Sequence, residues 1–259
     1  MPASEISSPQ NPLIQRIRTL QGQARDRREA GQFVIEGTRL LEEVLAAGII
    51  PETVIHTDPL NDRAEAILAG FRARGVRPIS VDQRAMQAAS DTKSPQGLLA
   101  ILPIQPRQLP PTPTFILILD EVRDPGNLGA ILRIAAAAAV DAILLSPGCA
   151  DPYAPKVVRA GMGAHFRVPI HPLGWEEIRG ATTPLKVFLA DSGGALSIGE
   201  ADFSLPLALI IGGEARGAGD LSGGLDPVGV RIPMPGGTES LNAAVAAGIL
   251  IFEVVRQRQ

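Results

Sequence analysis

Three times in the second half of the chain an apolar run of strand length opens into a loop carrying glycine, and two of those loops lead into an apolar helix. In Phe115-Ile-Leu-Ile-Leu-Asp-Glu-Val-Arg-Asp-Pro-Gly-Asn-Leu-Gly-Ala-Ile-Leu-Arg-Ile-Ala135, a buried-type strand meets a Pro-Gly turn and then an alanine-rich helix. In Leu207-Ala-Leu-Ile-Ile-Gly-Gly-Glu-Ala-Arg-Gly217 the strand opens into a loop bearing one carboxylate, Glu214. In Ile232-Pro-Met-Pro-Gly-Gly-Thr-Glu-Ser-Leu-Asn242 a strand end, a glycine turn and a polar triplet precede a helix. Its apolar positions Ala244, Val245, Gly248, Ile249, Phe252 and Val255 recur at helical spacing. Strand ends of this kind, repeated in one half-chain, predict a single crevice at the carboxyl edge of a parallel sheet.

Within these segments the polar residues stand where a ligand would meet them. Asn127 is placed where the turn becomes helix, and Arg133 follows six residues later at a similar azimuth, beside a face of Leu128, Ile131 and Leu132. Ser240 and Asn242 are placed in the first turn of the last helix, where Thr238 or Ser240 is also a candidate cap.

The pattern divides the chain in two. Residues 103–113 hold five prolines among eleven positions, which can continue neither a helix nor a central strand. The expected division is 1–104, a linker at 105–113, and 114–259. Upstream, strands are expected at Gln32 to Ile35, Thr53 to His56 and Gly97 to Leu102, with helices at Thr38 to Ala47 and Asp62 to Ala73. Downstream, strands are expected at Phe115 to Leu119, Ala142 to Leu145, Lys186 to Leu189, Leu207 to Ile211 and Val230 to Ile232, alternating with helices on both faces. The fold class is therefore α/β in both parts.

Composition removes several functions. With 259 residues, 45% of them hydrophobic, the chain can fill two cores, yet its longest apolar runs fall short of a membrane span. No signal pattern opens it, so a cytoplasmic protein is expected. A single cysteine, Cys149, and three histidines without ligand spacing predict no metal. Gly212 to Gly217 has the glycine spacing of a phosphate loop, but Ala218 stands where the lysine is required. No segment supplies the third glycine of a dinucleotide fingerprint. Asp120 and Glu121 are adjacent carboxylates on a loop, a poor arrangement for paired acid-base work.

The three motifs Asp124-Pro-Gly-Asn-Leu-Gly-Ala-Ile-Leu-Arg133, Ile211-Gly-Gly-Glu-Ala-Arg-Gly217 and Ile232-Pro-Met…Ser240-Leu-Asn242 resemble, in order and spacing, those of the SpoU (TrmH-like) RNA ribose 2′-O-methyltransferases. Upstream, Phe33-Val-Ile-Glu-Gly-Thr-Arg-Leu-Leu-Glu-Glu43 and Lys93-Ser-Pro-Gln-Gly-Leu-Leu-Ala100 resemble the ends of an L30e-like substrate-binding domain. The resemblance implies a parallel-sheet SPOUT domain with a deep trefoil knot, S-adenosylmethionine as cofactor, and a homodimer built through the catalytic domain. It implies Leu189, Ala190, Gly212, Gly213, Glu214, Ile232, Met234 and Leu241 around the cofactor. For catalysis it implies Arg133 at the 2′-hydroxyl, oriented by Asn127, Glu214, Ser240 and Asn242. Ala243, Ala244 and Gly161 depart from the commonest family residues.

The implied substrate is RNA, with 23S ribosomal RNA first, transfer RNA second, and a non-catalytic ribosome-assembly role third. The net charge of −3 runs against RNA binding, but the basic residues are unevenly placed. Arg16, Arg18, Arg25, Arg27 and Arg28 form a basic N-terminal arm, a candidate for phosphate contact or a solvated, ion-paired helix face.

Overall fold

A computed structural model describes residues 5–105, 107–213 and 224–259. The chain forms two compact units, one of residues 1–105 with 153–166, the other of 106–152 with 167–259.

The first unit opens with helices α1 (Pro12–Gly22) and α2 (Ala24–Ala30), followed by β1 (Gln32–Glu36), α3 (Thr38–Ala46), β2 (Thr53–His56), α4 (Asp62–Arg72), β3 (Ile79–Ser80), α5 (Gln83–Ala89) and β4 (Leu98–Pro103). The strands lie in the order β1-β4-β2-β3; β4 runs antiparallel to both neighbours and β3 parallel to β2. Alternation along the pleat feeds a core on each face. Phe33 and Ile35 of β1 pack with Leu41, Leu68 and Phe71, whereas Val34 between them packs with Ile14, Ile17, Met86 and Ile101.

That second core corrects the expectation of an N-terminal arm. Helix α1, which carries Arg16 and Arg18, buries Ile14, Ile17 and Leu20 against the sheet, and α2 carries Arg25, Arg27 and Arg28, so these arginines belong to integral helices. Their surroundings differ. Arg27 is 3% exposed and donates through Nη1 to the Leu20 carbonyl at 2.7 Å, which ties α2 to α1. Arg16 pairs with Glu52 at 2.7 Å, and Arg25 with Glu29 at 2.6 Å. The Arg18 and Arg28 side chains are exposed and have no hydrogen bond or ion pair among the described residues.

The strand β5 (Phe115–Asp120) begins the second unit, followed by α6 (Pro125–Ala137) and β6 (Ala142–Leu145). The chain then visits the first unit with α7 (Pro155–Gly161) and a 3-10 turn at Ala164–Phe166. There Tyr153 and Phe166 join the Phe33 core. Proline content marks the boundary at 103–113 but leaves this excursion unmarked, because its apolar residues match any core. The second unit resumes with β7 (Ile170–Pro172), α8 (Trp175–Thr182), β8 (Lys186–Ala190), β9 (Leu196–Ser197), β10 (Leu207–Gly212), β11 (Val228–Arg231) and α9 (Ala243–Gln257).

Its seven strands lie in the order β7-β6-β5-β10-β8-β11-β9, every paired neighbour parallel. The central strands β5 and β10 are apolar on both faces, as a sheet covered by helices requires. Ile116, Ile118, Ala208 and Ile210 meet Ile178 of α8 on one face. The order places the ends of β5, β10, β8 and β11 side by side, although β8 and β10 are separated from β5 by more than sixty residues of chain.

Candidate cofactor and RNA site

A cavity of about 380 Å³ opens at those strand ends. Leu189 and Ala190 end β8 within it, Ile211, Gly212 and Gly213 bring in β10, and Val230 brings in β11. The chain after β11 adds Ile232, Met234, Ser240 and Leu241, and helix α9 adds Ala243, Ala246 and Leu250. The cavity thus collects every cofactor position expected from the sequence except Glu214, which lies outside the described residues. Ile232 and Met234 follow the end of β11 at Arg231 and line the cavity from a loop.

The lining suits a nucleoside with a charged tail. Aliphatic side chains of Leu189, Ile211, Val230, Ile232 and Leu241 offer flat apolar walls, and the size falls within the range of small-molecule sites. Asp191 and Ser192 also line it, and sequence reading passed them over. The Asp-Ser-Gly-Gly run at 191–194 was the available signal: Asp191 Oδ1 accepts from Gly193 N at 2.9 Å, an Asx turn directly after a strand.

Gly213 is glycine for a reason other than ligand approach. A Cβ there would sit 2.3 Å from the carbonyl oxygen of Glu121, so the missing side chain is required by the β5 loop.

Beside the cavity, two helix N-termini are joined by their polar residues. Asp124 caps α6 by accepting from Asn127 N at 2.8 Å, and Pro125 occupies the first helical position. Asn242 caps α9, its Oδ1 accepting from Ala244 N at 2.9 Å and Val245 N at 3.3 Å. The Asn242 Nδ2 donates to Asn127 Oδ1 at 3.0 Å. Capping therefore falls to Asn242 rather than to Thr238 or Ser240, and Ser240 lies before the helix, in the cavity wall.

The azimuth expected for Arg133 is also corrected. Six residues advance a helix by about 600°, some 120° short of two turns, so Arg133 cannot share the direction of Asn127. Leu128, Ile131 and Leu132 are fully buried while Arg133 is exposed, its side chain without a hydrogen bond or ion pair among the described residues. A fixed positive charge held in solvent suits contact with a phosphate. Among the described residues no group of His, Cys, Asp and Glu is placed to hold a metal.

Comparison with known proteins agrees with this geometry. The SpoU rRNA Methylase family profile matches residues 114–252, and an MRM3-like substrate binding domain profile matches residues 11–100. An uncharacterized tRNA/rRNA methyltransferase of Synechocystis is 33% identical, over 98% of this chain and 94% of its own length. The 23S rRNA guanosine 2′-O-methyltransferase of Bacillus subtilis is 31% identical, over 89% of this chain and 91% of its own. The crystal structure of an AdoMet-bound rRNA methyltransferase from Sinorhizobium meliloti superposes with a TM-score of 0.86 at 30% identity, covering 97% of both chains. With its strand-end cavity and paired helix caps in the matched segment, the chain belongs to the SpoU rRNA methylase family.

Proposed function

We propose that the protein is an S-adenosylmethionine-dependent methyltransferase acting on a ribose 2′-hydroxyl of 23S ribosomal RNA. The observation that carries this reading is the cavity at the ends of β8, β10 and β11, flanked by the Asn127–Asn242 pair. The Bacillus subtilis relative supports the substrate, and the Sinorhizobium meliloti structure supports the cofactor. S-adenosylmethionine, when bound, supplies a methyl group on a sulfonium, already activated for transfer.

The residues of this chain then need only hold the two reactants and manage one proton. Leu189, Ala190, Ile211 to Gly213, Ile232, Met234 and Leu241 enclose the cofactor. Arg133 clamps an RNA phosphate and polarises the hydroxyl, whose proton passes to that phosphate as the O–CH3 bond forms and the S–CH3 bond breaks; a guanidinium is a poor proton acceptor, so Arg133 itself is not the base. Asn127, Ser240 and Asn242 set the orientation of the ribose, a role to which Glu214 also belongs. The first unit, whose residues 11–100 match an MRM3-like substrate binding domain, grips folded RNA. The crossing order β5-β10-β8-β11 and the return of α9 onto α6 support a trefoil knot.

The same chemistry on transfer RNA is the second reading, favoured by the joint tRNA/rRNA name of the Synechocystis relative. Among the described residues no helix is long and apolar enough to cross a membrane, and the rRNA substrate of the Bacillus subtilis relative supports a cytoplasmic location. Mapping 2′-O-methylation in total RNA from cells with and without the gene distinguishes the readings. Loss of one mark in 23S rRNA is expected. Loss confined to transfer RNA selects the second reading, and no lost mark overturns both.

The enzyme works as a homodimer through the second unit. Val245, Ile249 and Phe252 are 51%, 40% and 49% exposed on one stripe of α9, while Ala247, Leu250, Ile251 and Val254 face the core. A stripe of this size left in water favours a partner. Light scattering should give a dimer, and Phe252→Asp with Ile249→Asp should give a monomer; a wild-type monomer that transfers methyl groups overturns the dimer.

A further inference from the structure

We propose that Asp120 and Ser146 are positioning residues for methyl transfer, which lock the loop leading to Asn127 and Arg133 onto the loop that lines the cofactor cavity. This rests on the function proposed above. Neither residue lines the cavity, so both act through others.

Asp120 ends β5 at 2% exposure and Ser146 follows β6 at 3% exposure. A buried carboxylate demands donors, and the Ser146 hydroxyl donates to Asp120 Oδ1 at 2.7 Å, nearer than its other acceptor, the Pro147 carbonyl at 3.2 Å. The Ser146 Oγ in turn accepts from Glu121 N at 3.1 Å. Glu121 has φ +51°, a left-handed conformation that a residue with a side chain adopts only when its surroundings hold it. Ser146 therefore satisfies both the carboxylate before this turn and the amide within it.

The turn has two outputs. On one side the Asp120 carbonyl accepts from Gly213 N at 2.8 Å, and the Glu121 carbonyl fills the space where a Gly213 side chain would be. Gly213 is part of the cavity wall. On the other side, Asp124 caps the helix of Asn127 and Arg133. If the turn relaxes, the start of α6 and the cavity wall shift relative to each other. A misplacement of about 1 Å between reacting groups is enough to cost on the order of a hundredfold in rate.

The test uses the full-length protein and four measurements: methyl transfer to 23S rRNA at saturating cofactor, its KM for RNA, cofactor affinity by calorimetry, and thermal melting. Ser146→Ala removes the hydroxyl, Ser146→Thr keeps it, and Asp120→Asn keeps an acceptor but drops the charge. Ser146→Ala is expected to lower kcat about tenfold or more, with a smaller change in cofactor affinity and in KM for RNA, and Ser146→Thr to recover most of the rate. Asp120→Asn should fall between. Wild-type kcat in folded Ser146→Ala, or equal losses in Ser146→Ala and Ser146→Thr, overturns the role. If Ser146→Ala does not fold, a folded Asp120→Asn at wild-type kcat overturns it alone. A wild type inactive on any RNA overturns the function reading and this role with it, whereas an active wild type with equally active variants overturns only the positioning role.

Discussion

Asn127 and Asn242, separated by 115 positions in the chain, share a 3.0 Å hydrogen bond that joins the N-terminus of α6 to that of α9. Asn242 alone performs two tasks there, since its carbonyl oxygen caps its own helix while its amide nitrogen holds Asn127. Substitution separates the tasks. Asp caps as well as Asn but cannot donate, so Asn242→Asp should melt near wild type while methyl transfer falls. Asn242→Ala should lose activity and also about 1 kcal/mol of stability. Melting curves alongside single-turnover transfer check this, and an Asp variant with full activity removes the bridge from the site.

Arg133 projects into solvent from α6 with nothing among the described residues to neutralise it. Arg133→Ala should abolish methyl transfer while cofactor affinity stays within about tenfold, roughly 1.4 kcal/mol. Arg133→Lys should recover little, since an ammonium loses the planar fork. Calorimetry with cofactor and a tritium-transfer assay measure the two halves; retained turnover in the Ala variant ends the assignment.

The arginines of α1 and α2 should divide by environment. Arg18→Glu with Arg28→Glu should leave melting unchanged and flatten the salt dependence of RNA affinity by roughly one unit for each lost phosphate contact. Arg27→Glu buries an unpartnered carboxylate where a guanidinium met the Leu20 carbonyl, so it should cost about 3 kcal/mol or more. An unchanged salt slope in the double variant would mean that Arg18 and Arg28 only solvate a helix face.

Burial pushes the Cys149 thiol upward, and the neighbouring Asp120 charge acts in the same direction. Its S–H meets the Leu119 carbonyl at 3.2 Å. A folded-state value above the unfolded one gives stability that is present below the unfolded pKa of about 8.5 and is lost as pH rises through the folded value. Between pH 7 and 10 the melting temperature of wild type should therefore fall more steeply than that of Cys149→Ser. Alkylation at pH 8 should also be slower in the folded protein than in urea. Parallel melting curves for the two proteins would contradict the shift.

Much of the second unit was legible in its sequence because local patterns there coincide with global roles. Fully apolar runs such as Phe115 to Leu119 and Leu207 to Ile211 have few alternatives to central parallel strands, and the glycine loops after them must lie at one edge. The short strands β3, β7 and β9, of two or three residues each, went unread because such segments carry no periodicity of their own.

The sequence by itself determined the strand and helix alternation, the three motif loops and the residues able to meet a cofactor. These depend on side-chain chemistry and on spacings of a few residues, which the chain carries locally. Only the tertiary structure decided which motif residues touch. The crossing order placed β10 beside β5 and β8, set the missing side chain of Gly213 against Glu121, and turned Asn242 from a helix residue into the cap that holds Asn127. It also split five similar arginines into one buried strut, two ion-paired and two free in solvent among the described residues. Which partner a side chain meets across a hundred residues is set by how the sheet closes its order, and nothing in the local pattern encodes that.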